Sequence, residues 1–257
     1  MREPNTLESL SSIVQVIGVA YTYRPSLAVR RHLVKNTQGD HSAKKGSFSY
    51  FYKGDNASIV GSGQKLTLRR DPVTGKLARH WPEPELAILL GKHHEILAYT
   101  LANDLTAISI EARGRTADMD GTYEGKAWDK SGSLGPRFIE VGDLQNVDDL
   151  PIGLRIERRT ETIYDRTYRT SRRIRRFPTI PDAVVDAFKS YGDRTPPSKR
   201  IDLDGDGFLL PGTVIMLGTG LILSEKYACM PGDRLTVYCP AIGELKNEIE
   251  VTAAQEW

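Results

Sequence analysis

The chain of 257 residues is 39% hydrophobic and 26% charged, with a formal net charge of +2; this is the composition of an ordinary globular protein with room for a sizeable core. Such a balance gives no reason by itself to expect a polyanionic partner. No apolar run reaches the roughly 18 residues of a membrane-spanning helix, and Glu3 and Glu8 precede the short Ile13 to Ala20 run where a signal peptide would be basic. A cytoplasmic location without membrane contact is therefore expected. The two cysteines, Cys229 and Cys239, have no second Cys or His at metal-type spacing and are expected to pack in the interior.

In chain order, Ile13 to Tyr23 reads as a buried strand rich in Ile and Val. The basic stretch Arg24 to Asp40 is expected to hold a short helix, and His41 to Gly46 a flexible lid. Residues 1–50 are thus expected to form a strand and lid-like segment ahead of one compact unit over 51–257. Phe48 to Lys53 alternates aromatic and polar residues before the turn Gly54-Asp55-Asn56. Short β-prone runs follow at Leu86 to Leu90, Ile96 to Leu101, Phe138 to Val141, Val214 to Leu217 and Leu235 to Tyr238. Two helices are expected, over Leu105 to Arg115 and over Ile180 to Ser190, the second with Val184, Val185 and Phe188 spaced behind Pro181 and Asp182. The fold class is mostly β with few helices (α+β).

Nine arginines lie between Arg155 and Arg176, which raises nucleic-acid binding as a separate hypothesis. They alternate with β-prone residues as in a two-stranded ribbon, and Glu157, Glu161 and Asp165 dilute their field. A solvated or subunit-contacting hairpin without a nucleic-acid partner is the expectation. Asp202-Leu203-Asp204-Gly205-Asp206-Gly207 matches the first half of an EF-hand loop, but Thr213 stands where the bidentate Glu belongs. An acidic surface turn is expected there.

The most informative stretch is Trp81-Pro82-Glu83-Pro84-Glu85, followed by Asn103-Asp104. In an extended strand Glu83 and Glu85 leave the same face, and Asp104 ends the next apolar run. On spacing alone two readings stand: solvated acids, the commoner case, or a cluster around a hard divalent cation. Like charges about 4 Å apart repel by roughly 4 kcal/mol at an effective dielectric near 20, so a converged cluster calls for a cation with oxygen preference.

Eight blocks in order resemble the fumarylacetoacetate hydrolase superfamily. They are Glu83-Pro84-Glu85-Leu86-Ala87, Ala102-Asn103-Asp104-Leu105-Thr106-Ala107, Gly125-Lys126-Ala127-Trp128-Asp129, Ser133-Leu134-Gly135-Pro136, Pro211-Gly212-Thr213-Val214-Ile215, Gly218-Thr219-Gly220, Pro231-Gly232-Asp233 and Ile242-Gly243-Glu244-Leu245-Lys246-Asn247. The resemblance implies that family's mixed β-sheet roll, a homodimer, and Mg²⁺ (or Mn²⁺, with Ca²⁺ as a stand-in in crystals) held by Glu83, Glu85 and Asp104. Three monodentate carboxylates leave about three octahedral positions for a bidentate small-molecule 2-oxo acid and a water. It also implies Lys126 as acid or base, its pKa lowered by burial, with Arg24, Lys53, Thr219 and Gly218 binding substrate. Where the family's carbon–carbon hydrolases carry a Tyr-Arg-Asp-His type segment, this chain has Tyr23-Arg24-Pro25-Ser26; His32 is the nearest substitute. Gly18-Val19-Ala20-Tyr21, Phe51-Tyr52-Lys53, Ile110-Glu111 and Gly218-Thr219-Gly220 are closer to the 2-keto-3-deoxy-sugar-acid dehydratase branch. Dehydration through a metal-chelated enolate is accordingly expected. The alternatives are acylpyruvate hydrolysis, oxaloacetate decarboxylation or tautomerisation, or a catalytically inactive binding homologue.

Overall fold

The computed structural model describes residues 10–20, 22–23, 49–114, 121–173, 179–191 and 200–251. Arg24, His32 and the lid-like segment lie outside them. The described residues form twelve strands and three α-helices in two sheets. The first sheet is β1 (Gln15–Ala20), β2 (Ser49–Gly54), β3 (Ile59–Val60), β5 (His80–Leu90), β6 (Ile96–Ala107), β7 (Gly132–Glu140) and β10 (Thr213–Met216), in the order β2-β1-β10-β5-β6-β7-β3. The second is β4 (Lys65–Leu68), β8 (Pro151–Arg158), β9 (Glu161–Arg169), β11 (Arg234–Cys239) and β12 (Gly243–Val251), in the order β4-β12-β11-β8-β9. This is the expected mostly-β α+β fold, and no helix among the described residues is long and apolar enough to cross a membrane.

The long β5–β6 hairpin is the spine of the first sheet. Leu86 to Leu90 are all buried, so the run is apolar on both faces, as a central strand requires. Leu86, Ile88 and Leu90 enter the main core with Leu154, Leu235 and Leu245 of the second sheet. Ala87 and Leu89 pack on the opposite face with Val16, Ala98, Ala102, Val214 and Met216.

Two strand boundaries differ from the sequence reading. Leu105, Thr106 and Ala107, expected at the start of a helix, continue β6 because Pro82, Trp81 and His80 pair with them across the hairpin. Helix α1 begins only at Ile108 (Ile108–Gly114). The acid- and proline-rich start of β5 has poor β propensity, yet it is strand. Its prolines lie beyond the end of the β10 pairing, which spans Ala87 to Leu89, on an edge where a missing N–H breaks no ladder bond. The other helices are α2 (Gly121–Lys126) and α3 (Ile180–Lys189). As expected, α3 has Pro181 and Asp182 in its first turn and buries Val184 and Val185.

The arginine-rich segment is the expected antiparallel ribbon, β8 on β9, with β9 at the sheet edge. Several of its arginines are matched to carboxylates: Arg155 to Asp165 at 2.9 Å, Arg158 to Asp233 at 2.9 Å and Arg169 to Asp149 at 2.6 Å. The Asp202 to Gly207 segment is a tight turn in which the Asp204 carboxylate accepts the N–H groups of Asp206 and Phe208. Thr213 opens β10 where an EF-hand would need its exiting helix.

His80 supplies a pH-dependent element of stability. It is fully buried; its Nε2 accepts the Arg69 N–H at 3.2 Å, so Nδ1 carries the proton and donates to the Ala78 carbonyl at 2.8 Å. Burial lowers its pKa from 6.5 to about 4. The unfolded chain therefore binds more protons between those values, and stability contributed by neutral His80 is lost as pH falls from 6.5 toward 4, by up to about 3 kcal/mol. Denaturant titrations should show wild type losing more stability than His80→Gln over that window. A wild-type-to-variant difference that does not change with pH would contradict this.

Candidate active site

The hairpin register assembles the acids. Glu83 pairs directly with Asp104, and Glu85, two residues on, shares their face opposite Ala102. One carboxylate oxygen from each lies within 4.8 Å of the others. The structure therefore brings together the three acids that the sequence placed as metal ligands.

Two lysines converge on them from different elements. Lys53, on β2, is 1% exposed. Its Nζ meets Asp104 Oδ1 at 2.6 Å and donates to the carbonyls of Leu105 at 3.1 Å and Lys126 at 2.5 Å. Room for its stem comes from Gly132, opposite Asp104 on β7, where a Cβ would lie 2.9 Å from Lys53 Cε. Lys126, at the end of α2, places Nζ 2.8 Å from Glu83, 2.6 Å from Asp104 and 2.5 Å from Thr106 Oγ1. Gly125 permits this approach, since a Cβ there would fall 2.6 Å from Glu111 Cβ, between α1 and α2. Aromatic faces line both amines, Trp128 at 5.2 Å from Lys53 Nζ and Phe51 at 5.1 Å from Lys126 Nζ.

The third wall is the turn after β10. Gly218, at φ +80°, donates its N–H to Glu85 Oε2 at 2.6 Å. A side chain at Gly218 would collide with Thr22 Oγ1, 2.2 Å from its Cβ position, and that hydroxyl donates to the Leu217 carbonyl. Thr219 is buried beside it, its Oγ1 accepting the Leu221 N–H at 3.1 Å. Hence the Gly218 N–H serves the acid triad and the Thr219 hydroxyl oxygen serves the turn.

The electrostatics of this cluster are uneven. Burial raises the Glu85 carboxyl well above its usual range, and Asp104 and Glu83 raise it further. Glu83, with 22% of its side chain exposed, is pushed up to about 7, mainly by burial, against the pull of Lys126. Burial also raises Asp104, but Lys126 and Lys53 outweigh it and the net shift is downward. Burial lowers Lys53. For Lys126, burial acts downward as expected, but Asp104, Glu83 and Glu111 overcome it and hold the ammonium well above 10.5. The expected depression of Lys126 is thus reversed, because its neighbours are acids at hydrogen-bond distance. Glu111, buried on α1, is the contributor that single-residue inspection undervalued; its only sequence signal was its place in the Ile110-Glu111 block.

The donor set fits a hard divalent cation. It is all carboxylate oxygen, it converges from two rigid strands, and among the described residues Glu85 has no cation at ion-pairing distance. Two elevated carboxyls in one buried cluster are what a divalent charge would relieve.

Residues 15–250 match the family model described as fumarylacetoacetate (FAA) hydrolase C-terminal. The chain is 28% identical over 201 residues to a "Probable 2-keto-3-deoxyxylonate dehydratase" of Haloferax volcanii, covering 77% of this chain and 59% of that one. It is 27% identical over 125 residues to the 2-dehydro-3-deoxy-D-arabinonate dehydratase of Saccharolobus solfataricus, covering 48% and 38%. The chain thus spans less than two thirds of the length of these curated relatives. In fold it is similar to the apo form of 2-keto-3-deoxy-D-arabinonate dehydratase, with a TM-score of 0.73 at 20% identity over 95% of this chain and 75% of that one. A structure of that enzyme "complexed with magnesium and 2,5-dioxopentanoate" gives 0.71 at 19% identity, again over 95% and 75%. With the family model matching residues 15–250 of the 257 and the acid triad in register on the β5–β6 hairpin, the chain belongs to the fumarylacetoacetate hydrolase family.

Proposed function

We propose that the protein is a divalent-metal-dependent lyase that removes water from a 2-keto-3-deoxy sugar acid. The observation that carries this reading is the convergence of Glu83, Glu85 and Asp104 to within 4.8 Å, with two buried lysines against them. The dehydratase names of the curated relatives support the reaction type, and the magnesium in a structure of similar fold supports the metal. A bound Mg²⁺ or Mn²⁺ would supply Lewis acidity to the C1 carboxylate and C2 carbonyl of a chelated 2-oxo acid, making the C3 proton acidic.

Elimination then needs a proton removed from C3 and a proton supplied to the departing C4 hydroxyl. Lys126, whose ammonium stands at the triad, is assigned both transfers in one concerted loss of water. It donates a proton to the departing C4 hydroxyl, and the amine so formed takes up the C3 proton, restoring the ammonium and leaving water and the enol. Lys53, buried against Asp104, fixes that carboxylate and compensates its charge. Arg24 and Thr219 are assigned to the substrate's polar groups and His32 to activating water in the hydrolase alternative, and assembly as a homodimer belongs to the same proposal. Incubation with Mg²⁺ and a panel of 2-keto-3-deoxy acids and acylpyruvates, read by mass spectrometry, tests it. The expected product is lighter by one water, with little cleavage of the diketone. Robust carbon–carbon cleavage that is lost in His32→Ala would establish the hydrolase alternative instead.

A further inference from the structure

The Pro84 carbonyl lies between Glu83 and Glu85, on the edge of β5 where pairing with β10 has ended. The last bond that the β10 segment makes along that edge is the Leu217 N–H to the Leu86 carbonyl at 2.9 Å. Beyond it the chain turns away at Gly218, so the next carbonyl, that of Pro84, has no strand to bond. A buried carbonyl left unpaired is costly. Tyr168, near the end of β9, fills the gap: its hydroxyl donates to the Pro84 oxygen at 2.9 Å. The same ring lies against Gly220, where a Cβ would be 2.4 Å from Tyr168 Cδ2, and Gly220 belongs to the turn whose Gly218 N–H holds Glu85. Tyr23 fixes the ring edge-on, with centroids 5.1 Å apart at 85°, and the Tyr23 hydroxyl accepts from Arg173 at 3.0 Å.

We propose that Tyr168 is a positioning residue for the acid triad, holding the backbone between two ligands and the turn behind the second, so that the arginine-rich ribbon sets the metal geometry. This rests on the reading that Glu83, Glu85 and Asp104 bind a divalent ion. Tyr168 touches neither ion nor substrate; it acts through the Pro84 carbonyl and the Gly218–Gly220 turn. Support groups behind metal ligands typically change metal affinity by 10- to 100-fold when removed.

The test is Mn²⁺ affinity, read from the electron paramagnetic resonance of free Mn²⁺, in wild type, Tyr168→Phe and Tyr164→Phe. The phenylalanine keeps the ring against Gly220 and removes only the hydroxyl, with its bond to Pro84 and its contact with the Tyr23 hydroxyl. Tyr168→Phe should bind Mn²⁺ about tenfold more weakly, while Tyr164→Phe, on the same ribbon but packed on Tyr227, should bind as wild type does. Melting with and without Mn²⁺ separates positioning from support of the fold. The Mn²⁺-induced rise in Tm should shrink in Tyr168→Phe, whereas a purely structural role would lower both temperatures in parallel. Equal Mn²⁺ affinity in wild type and Tyr168→Phe overturns the inference alone; no Mn²⁺ binding by wild type overturns the metal reading and the inference with it. Should Tyr168→Phe not fold, Arg173→Lys, which loosens Tyr23 against the ring, is read the same way, and unchanged affinity there counts against the proposal.

Discussion

Asp104→Asn is expected to be the most damaging single change in the site, lowering stability by about 3–5 kcal/mol and removing measurable divalent-ion binding. Among the described residues Asp104 is the one acid at ion-pairing distance from both lysines, at 2.6 Å from each. Lys53 has no route to solvent, and losing the charged partner of a buried pair leaves an uncompensated ion, whose cost sets the figure above. An amide at this position still accepts one hydrogen bond but cancels no charge. Denaturant unfolding in metal-free buffer measures the loss, and near-wild-type stability would mean that Lys53 is held by its carbonyl partners alone.

Lys126→Met is expected to lower kcat on the dehydrated substrate by about 10²-fold or more, the scale of a positioned acid or base. A lysine with only a catalytic role would be dispensable for folding. Its ion pairs with Glu83 and Asp104 and the nearby charge of Glu111 change that expectation for the metal-free protein, since without the ammonium these carboxylates face one another. Metal-free Lys126→Met should therefore melt below wild type, and saturating Mg²⁺ should close most of the gap. Unaltered turnover would make the lysine a bystander, and a gap insensitive to Mg²⁺ would separate its role from the metal's.

What the sequence made legible were features with a short-range physical signature. Leu86 to Leu90 is apolar at every position and is buried on both faces; Pro181 and Asp182 mark the start of α3; alternation marks β8 and β9 as a ribbon. The triad was legible because period-two spacing puts Glu83 and Glu85 on one face and the family blocks supply Asp104. Illegible were features decided by partners far along the chain. Leu105 to Ala107 is strand and not the start of a helix because His80 to Pro82 pair with it across the hairpin. The pKa of Lys126 depends on three acids that reach it only after the hairpin and two helices close. Tyr168 reads as an ordinary ribbon residue until its hydroxyl is found 84 positions away, on Pro84.

The most direct test of the central claim is a crystal structure at saturating Mn²⁺, with anomalous scattering to locate the ion. One Mn²⁺ is predicted, bound to a single oxygen from each of Glu83, Glu85 and Asp104 at roughly 2 Å, with the Gly218 N–H still on Glu85. No anomalous peak at the triad, with Lys126 still paired to Glu83 and Asp104 and Lys53 to Asp104, would contradict it.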